Sequence, residues 1–156
     1  MDDLRVPTVP LVAEIRYFDE RPLTGRIFLP SRAQRHDGAM RPDEWLNQSN
    51  EFFPFLQDDA KRAAILNKRY VVVLTVPAWQ PEGDLDGLGD VAIVRKVAVQ
   101  CGTFRLEGAV HVNLPAAQSR LLDWINEPDP FLLVRDPERW HLVQKRRITF
   151  LDETGE

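Results

Sequence analysis

The most constraining feature of this chain is that it matches itself. Residues Asp59 to Leu74 align with Asp136 to Leu151 at a constant offset of 77, over sixteen positions without a gap. Five of these are identical: Asp59 with Asp136, Arg62 with Arg139, Lys68 with Lys145, Arg69 with Arg146 and Leu74 with Leu151. Chance would supply about one such identity. Ile65 with Leu142 and Val71 with Ile148 are conservative matches between them. Upstream the offset becomes 79, where Glu44-Trp45-Leu46-Asn47 faces Asp123-Trp124-Ile125-Asn126 and Phe52 faces Phe131. Farther upstream Leu23-Thr24-Gly25 faces Leu106-Glu107-Gly108, Leu29-Pro30 faces Leu114-Pro115, and Val12-Ala13 faces Val97-Ala98. The landmarks keep one order in both halves. The chain therefore reads as two diverged copies of one unit of about 60 to 70 residues, laid head to tail. The first unit is expected over 1–76, a connector over 77–90 and the second unit over 91–156.

Each unit has the periodicity of strands. Leu106, Gly108, Val110, Val112 and Leu114 alternate with Glu107, Ala109, His111 and Asn113, the period of two expected where one face is buried, and Pro115 stops the run. In the first copy Leu23, Gly25, Ile27 and Leu29 alternate with Thr24, Arg26 and Phe28, and Pro30 stops the run at the matching place. A preceding strand is expected over about 12–18, with its counterpart over about 91–101, which gives a hairpin in each unit. An irregular stretch carrying Trp-x-Asn follows. Asp59 or Asp136 is then expected to cap a short helical turn, with Pro137 at the first helical position. The unit closes with Tyr70 to Val76 or Arg147 to Leu151, rich in β-branched and aromatic residues and suited to a strand buried on one or both faces. A unit this small buries only about 60% of its unfolded surface and cannot hide all its strand edges. Two copies packed together remedy both problems.

Two strands with a glycine inside the second, a pause ending in Asn, a phenylalanine-rich strand and a turn leading into Lys-Arg-x-Ile resemble the small five-stranded Sm-like and SH3-like barrels. The resemblance covers each unit and implies an all-β fold, mainly β with short helical turns, in which two tandem small Sm-like or SH3-like barrel-type units pack together. In the Sm family an Asp-x-x-x-Asn segment follows the inner glycine at about half the separation of Gly108 and Asn126 seen here, and the nearest echo of that family's late Arg-Gly is Lys145-Arg146-Arg147. RNA-binding residues are therefore not carried over. The duplicated pattern also resembles uncharacterised bacterial proteins with a repeated small β-unit, which imply no activity.

Few chemistries find the residues they need. Cys101 is the only cysteine, so no intrachain disulfide and no cysteine-rich zinc site can form. It lies near the end of an apolar strand and reads as a packed side chain rather than a nucleophile. His36, His111 and His141 are not spaced as metal ligands, and Asp84 to Asp90 lacks the distal glutamate of a calcium loop, reading instead as a solvated acidic connector. There is no Gly-x-Ser-x-Gly turn, phosphate-binding loop or dinucleotide fingerprint. No enzyme, cofactor or metal is expected. The formal charge of -4 argues against wholesale wrapping by nucleic acid but permits a local basic patch. The single cysteine, the lack of an apolar leader and the lack of a long apolar run lead to an expectation of a cytoplasmic protein with no membrane anchor.

Binding is better supplied with candidates. Trp79 lies between Pro77 and Pro81, Phe53 and Phe55 flank Pro54, and Arg32 and Arg35 lie in the polar stretch 31–41, longer than its counterpart. These five are the candidate partner-binding residues. Trp45 and Trp124 read as core or inter-unit packing. The sequence leads to a non-enzymatic protein–protein interaction module, an adaptor or regulatory subunit of a bacterial cytoplasmic complex, meeting another protein or a second copy of itself. The alternative is RNA or DNA binding through paired basic patches at Lys68, Arg69, Lys145 and Arg146.

Overall fold

A computed structural model describes residues 7–17, 21–31, 40–79, 93–113 and 120–154. The first half contributes β1 (Thr8–Tyr17), β2 (Leu23–Pro30), the short helix α1 (Pro42–Leu46), β3 (Phe52–Gln57), β4 (Ala64–Asn67), a 3-10 turn (Lys68–Tyr70) and β5 (Val71–Pro77). The second contributes β6 (Ile93–Cys101), β7 (Phe104–Val112), α2 (Leu121–Ile125), β8 (Phe131–Arg135), β9 (Arg139–Gln144), a 3-10 turn (Lys145–Arg147) and β10 (Phe150–Glu153). The fold is all-β. Among the described residues ten strands form one antiparallel sheet in the order β10-β6-β7-β8-β9-β5-β1-β2-β3-β4, which does not close. No helix among the described residues is long and apolar enough to cross a membrane.

The order splits into two runs of five with the same connectivity. Each lists its last strand first, then its first, second, third and fourth. The registers correspond as well. Phe53 pairs with Leu66 and Pro54 with Ile65, as Leu132 pairs with Val143 and Leu133 with Leu142. Arg26 opposite Leu56 corresponds to Ala109 opposite Arg135. Ile15 opposite Leu74 corresponds to Val99 opposite Leu151. This last pair corrects the sequence alignment of the opening strands by one residue, since Ala13 opposite Gly25 corresponds to Val97 opposite Gly108. The cause is the hairpin. Cys101 and Phe104 are joined by a two-residue turn with Gly102 at a φ of 62°, whereas the β1–β2 connection is longer.

Local chemistry accounts for most elements. β2 alternates buried Gly25, Ile27 and Leu29 with more exposed neighbours, as a strand with one covered face requires. Gly25 and Gly108 let the third strand of each run come close. A Cβ on Gly25 would lie 2.2 Å from the Leu56 carbonyl oxygen, and one on Gly108 would lie 2.7 Å from that of Arg135. β5 reads Val-Val-Val-Leu without alternation because both its faces are covered. Val71, Leu74 and Val76 enter one apolar cluster and Val72 and Val73 the other.

Two expectations are corrected. The Trp-x-Asn stretch is helical, not irregular. Trp45 and Trp124 sit at matching positions in α1 and α2, each of five residues and too short to reveal a helical period. Trp45 is buried edge-on to Phe53, and Trp124 is half-buried against the second cluster. Conversely, Asp136 caps no helix. Its carboxylate accepts the backbone N–H groups of Glu138 and Arg139 at 2.9 and 2.7 Å, shaping the β8–β9 turn, and Asp59 takes a φ of 70° in the β3–β4 turn. An Asp before a short polar stretch signals both devices equally well at the sequence level.

Candidate functional site

The two runs meet where β5 pairs with β9, with Val73 opposite Val143, Leu74 opposite Leu142, Thr75 opposite His141, Val76 opposite Trp140 and Pro77 opposite Arg139. Side chains cross this seam. Phe131, Trp140 and Leu142 enter the first half's apolar cluster, and Val72 and Val73 enter the second's. Polar groups close it. The Gln144 side-chain amide donates to the carbonyls of Lys68, Arg69 and Val71 at 2.7–3.0 Å. Just past α1, Asn47 accepts the Phe131 backbone N–H at 2.8 Å and donates to the Phe131 carbonyl at 3.4 Å. Arg41 stacks over Trp140 with its guanidinium 5.4 Å from the ring centre.

Among the described residues, the same two kinds of edge are left open at the ends of the sheet. β4, the counterpart of β9, is one margin, and β10, the counterpart of β5, is the other. The consequence for burial is large. Leu142 is 0% exposed and its counterpart Ile65 is 75% exposed. Phe131 is 4% exposed and Phe52 53%, while Val73 is 3% exposed and Phe150 58%. Edges that offer unpaired backbone and large apolar side chains together are binding surfaces or aggregation hazards. The sequence does not mark Ile65 or Phe150 as contact residues, whereas Phe52 belongs with Phe53 and Phe55 to the aromatic cluster around Pro54. The offset of 77 carries the signal, because it equates Ile65 and Phe150 with Leu142 and Val73, but the pairing of β5 with β9 is needed to read it.

The residues expected to bind partners are distributed otherwise. Phe53 and Phe55 are fully buried in the first apolar cluster and present no surface, because their β3 neighbours Phe52 and Pro54 take the outward positions. Trp79 is half-buried and packs on that same cluster, so its ring is largely committed to the interior. Arg32 and Arg35, the rest of the long loop and the acidic connector from residue 80 lie outside the described residues.

The four basic residues separate into two roles. Lys68 is buried, and its ammonium donates to the Gln48 carbonyl at 3.1 Å and to the Asn50 side chain at 3.0 Å. Lys145 repeats the main contact, donating to the Glu127 carbonyl at 2.8 Å. Burial lowers both lysine pKa values, that of Lys68 to about 8, while the nearby Asp129 and Glu127 oppose the fall at Lys145. Each lysine pins the segment between helix and third strand, so their identity in the two halves has a structural cause. Arg69 and Arg146 are exposed on matching 3-10 turns.

One hydrogen-bonded chain has the ingredients of nucleophile chemistry. The Thr75 hydroxyl lies 2.9 Å from His141 Nδ1, and His141 Nε2 lies 3.0 Å from Asp136. The carboxylate of Asp136 is held below its usual pKa by hydrogen bonds from His141, Glu138 and Arg139, against the opposing effect of its desolvation. Thr75 and His141 face each other across the β5–β9 seam, and the chain ties the two strands together. Burial raises the Cys101 thiol to about 11, which suppresses its thiolate. Among the described residues no group of three or more His, Cys, Asp or Glu side chains is placed to hold a metal ion. Comparison with protein-family models, curated proteins and solved structures finds no match to this chain.

Proposed function

We propose that the chain is a tandem of two small barrel-type units, of the Sm-like or SH3-like kind, and that it works as a non-enzymatic protein-binding module. It would serve as an adaptor or regulatory subunit in a bacterial cytoplasmic complex. The observation that carries this reading is the pair of open margins, with Ile65 and Phe52 exposed at one and Phe150 at the other while their counterparts are buried at the seam. Main-chain pairing at a sheet edge gives affinity, and flanking apolar side chains give selectivity. The raised Cys101 thiol and the use of the Thr75–His141–Asp136 chain as a strand tie support a non-catalytic role. The test is capture from the native cell with three baits, the wild type, Ile65→Lys and Phe150→Lys. A partner retained by the wild type and lost from an edge variant supports the reading, and identical retention by all three, or none by any, removes it.

A second reading, nucleic-acid binding, is supported by the exposure of Arg69 and Arg146 at matching turns. It predicts retention of RNA or DNA that weakens steeply with salt and that falls in an Arg69→Gln, Arg146→Gln double variant. The ammonium groups of Lys68 and Lys145 already donate to backbone carbonyls, which weighs against their part in that patch.

A further inference from the structure

We propose that β10 of one chain pairs antiparallel with β4 of a second copy in the register of the β5–β9 seam, so that chains join head to tail. The inference rests on the edge-binding reading and names the partner. The internal seam is the template, since it already joins a β5-type edge to a β9-type edge, and these are the two kinds left open. Carrying its register forward by 77 places Phe150 opposite Leu66, Leu151 opposite Ile65, Asp152 opposite Ala64, Glu153 opposite Ala63 and Thr154 opposite Arg62.

The residues suit this pairing. Its centre matches Phe150 and Leu151 with Leu66 and Ile65, all apolar, as Val73 and Leu74 meet Val143 and Leu142 inside the chain. At its outer end the acidic Asp152 and Glu153 come alongside the basic Lys61 and Arg62, where the internal seam has the uncharged Thr75 and Val76. The exposed Asn126 matches Asn47 and would reach the Phe52 backbone of the next copy, as Asn47 reaches that of Phe131. Phe52 would then be covered as Phe131 is. A β4 edge cannot satisfy another β4 edge in this register, so the contact is heterologous. Repeated, it closes into a ring if the rotation permits and extends as a filament if it does not.

The experiment compares the masses of the full chain and of Ile65→Asp and Phe150→Asp by light scattering and native mass spectrometry, with far-ultraviolet circular dichroism confirming that each variant is folded. Both side chains are exposed, so the folded monomer tolerates both changes. The wild type should exceed the 18.0 kDa of one chain, and each variant alone should be monomeric. Mixed together, the two variants should form a species of twice that mass and nothing larger, because each retains the edge that the other has lost. Either variant assembling alone would point to like-with-like edges and overturn the proposal, as would a monomeric wild type or a mixture that stays monomeric. If the wild type is monomeric yet its edge variants lose a partner from the cell, self-assembly is wrong and edge binding survives. If both experiments are negative, both readings fall.

Discussion

Leu142 and Ile65 occupy the same place in two runs of strands that share order and register, yet one is sealed inside the protein and the other stands in solvent. The difference lies in the neighbour. β9 has β5 beside it, and β4 has no second strand beside it among the described residues. Conformation in such a sheet is set within each half, whereas burial is set by what lies across the seam. A residue's role therefore depends on its place in the order of strands more than on its local sequence.

The sharpest way to break this comparison is to truncate both members of the pair. Leu142→Ala should cost about 2–5 kcal/mol of unfolding free energy, the usual range for emptying a packed site. Ile65→Ala should cost no more than about 0.5 kcal/mol when measured at a dilution that keeps chains apart. Urea denaturation reads both, and equal losses would mean that the two edges are covered alike. Raising the protein concentration sharpens the test, since self-association through β4 would make the Ile65→Ala loss grow with concentration.

Next in size is the close approach that the halves share. Gly25→Ala and Gly108→Ala should each cost about 1–3 kcal/mol through forced strand displacement. Gly25 should suffer more, because its added carbon would meet the Leu56 carbonyl oxygen at 2.2 Å against 2.7 Å for the Arg135 oxygen at Gly108. Matching thermal shifts from the two variants would show that the third strands give way equally.

The smallest effect is electrostatic. Lys68 is held at about 8, below the ordinary lysine value of an unfolded chain, so between those values the unfolded chain binds more protons than the folded one. Stability should therefore rise with pH from about 8 toward about 10.5, by an amount of order 1 kcal/mol. Lys68→Met should flatten that rise. The chemical-denaturation midpoint followed across this window checks the sign, and a fall in stability over the same range would mean that the ammonium's bonds to Gln48 and Asn50 outweigh its desolvation.

Much of the architecture was legible in residues. The alternation around Gly25 and Gly108, the apolar run ahead of Val76 and the matched Lys-Arg pairs all mark elements that the structure contains. The short helices were not legible, because five residues hold less than two helical turns and Trp-x-Asn has no period. Phe53 and Phe55 misled because a proline between two phenylalanines resembles a displayed motif, whereas the strand's alternation turns both rings inward and Phe52 outward. Lys68 and Lys145 carry a related ambiguity, since a basic residue shared by both halves suggests a patch, whereas each ammonium here donates to a backbone carbonyl.

The sequence by itself marked the hairpin strands β1, β2, β6 and β7 and the apolar run of β5, and led to the expectation that the two halves follow one plan, because periodicity, glycine and proline act over a few residues and a constant offset is visible without coordinates. Only the tertiary structure decided that β5 lies against β9 and that Ile65, Phe52 and Phe150 remain uncovered. Strand neighbours are chosen by contacts between residues distant in the chain, and exposure is a property of the finished sheet that no single strand carries.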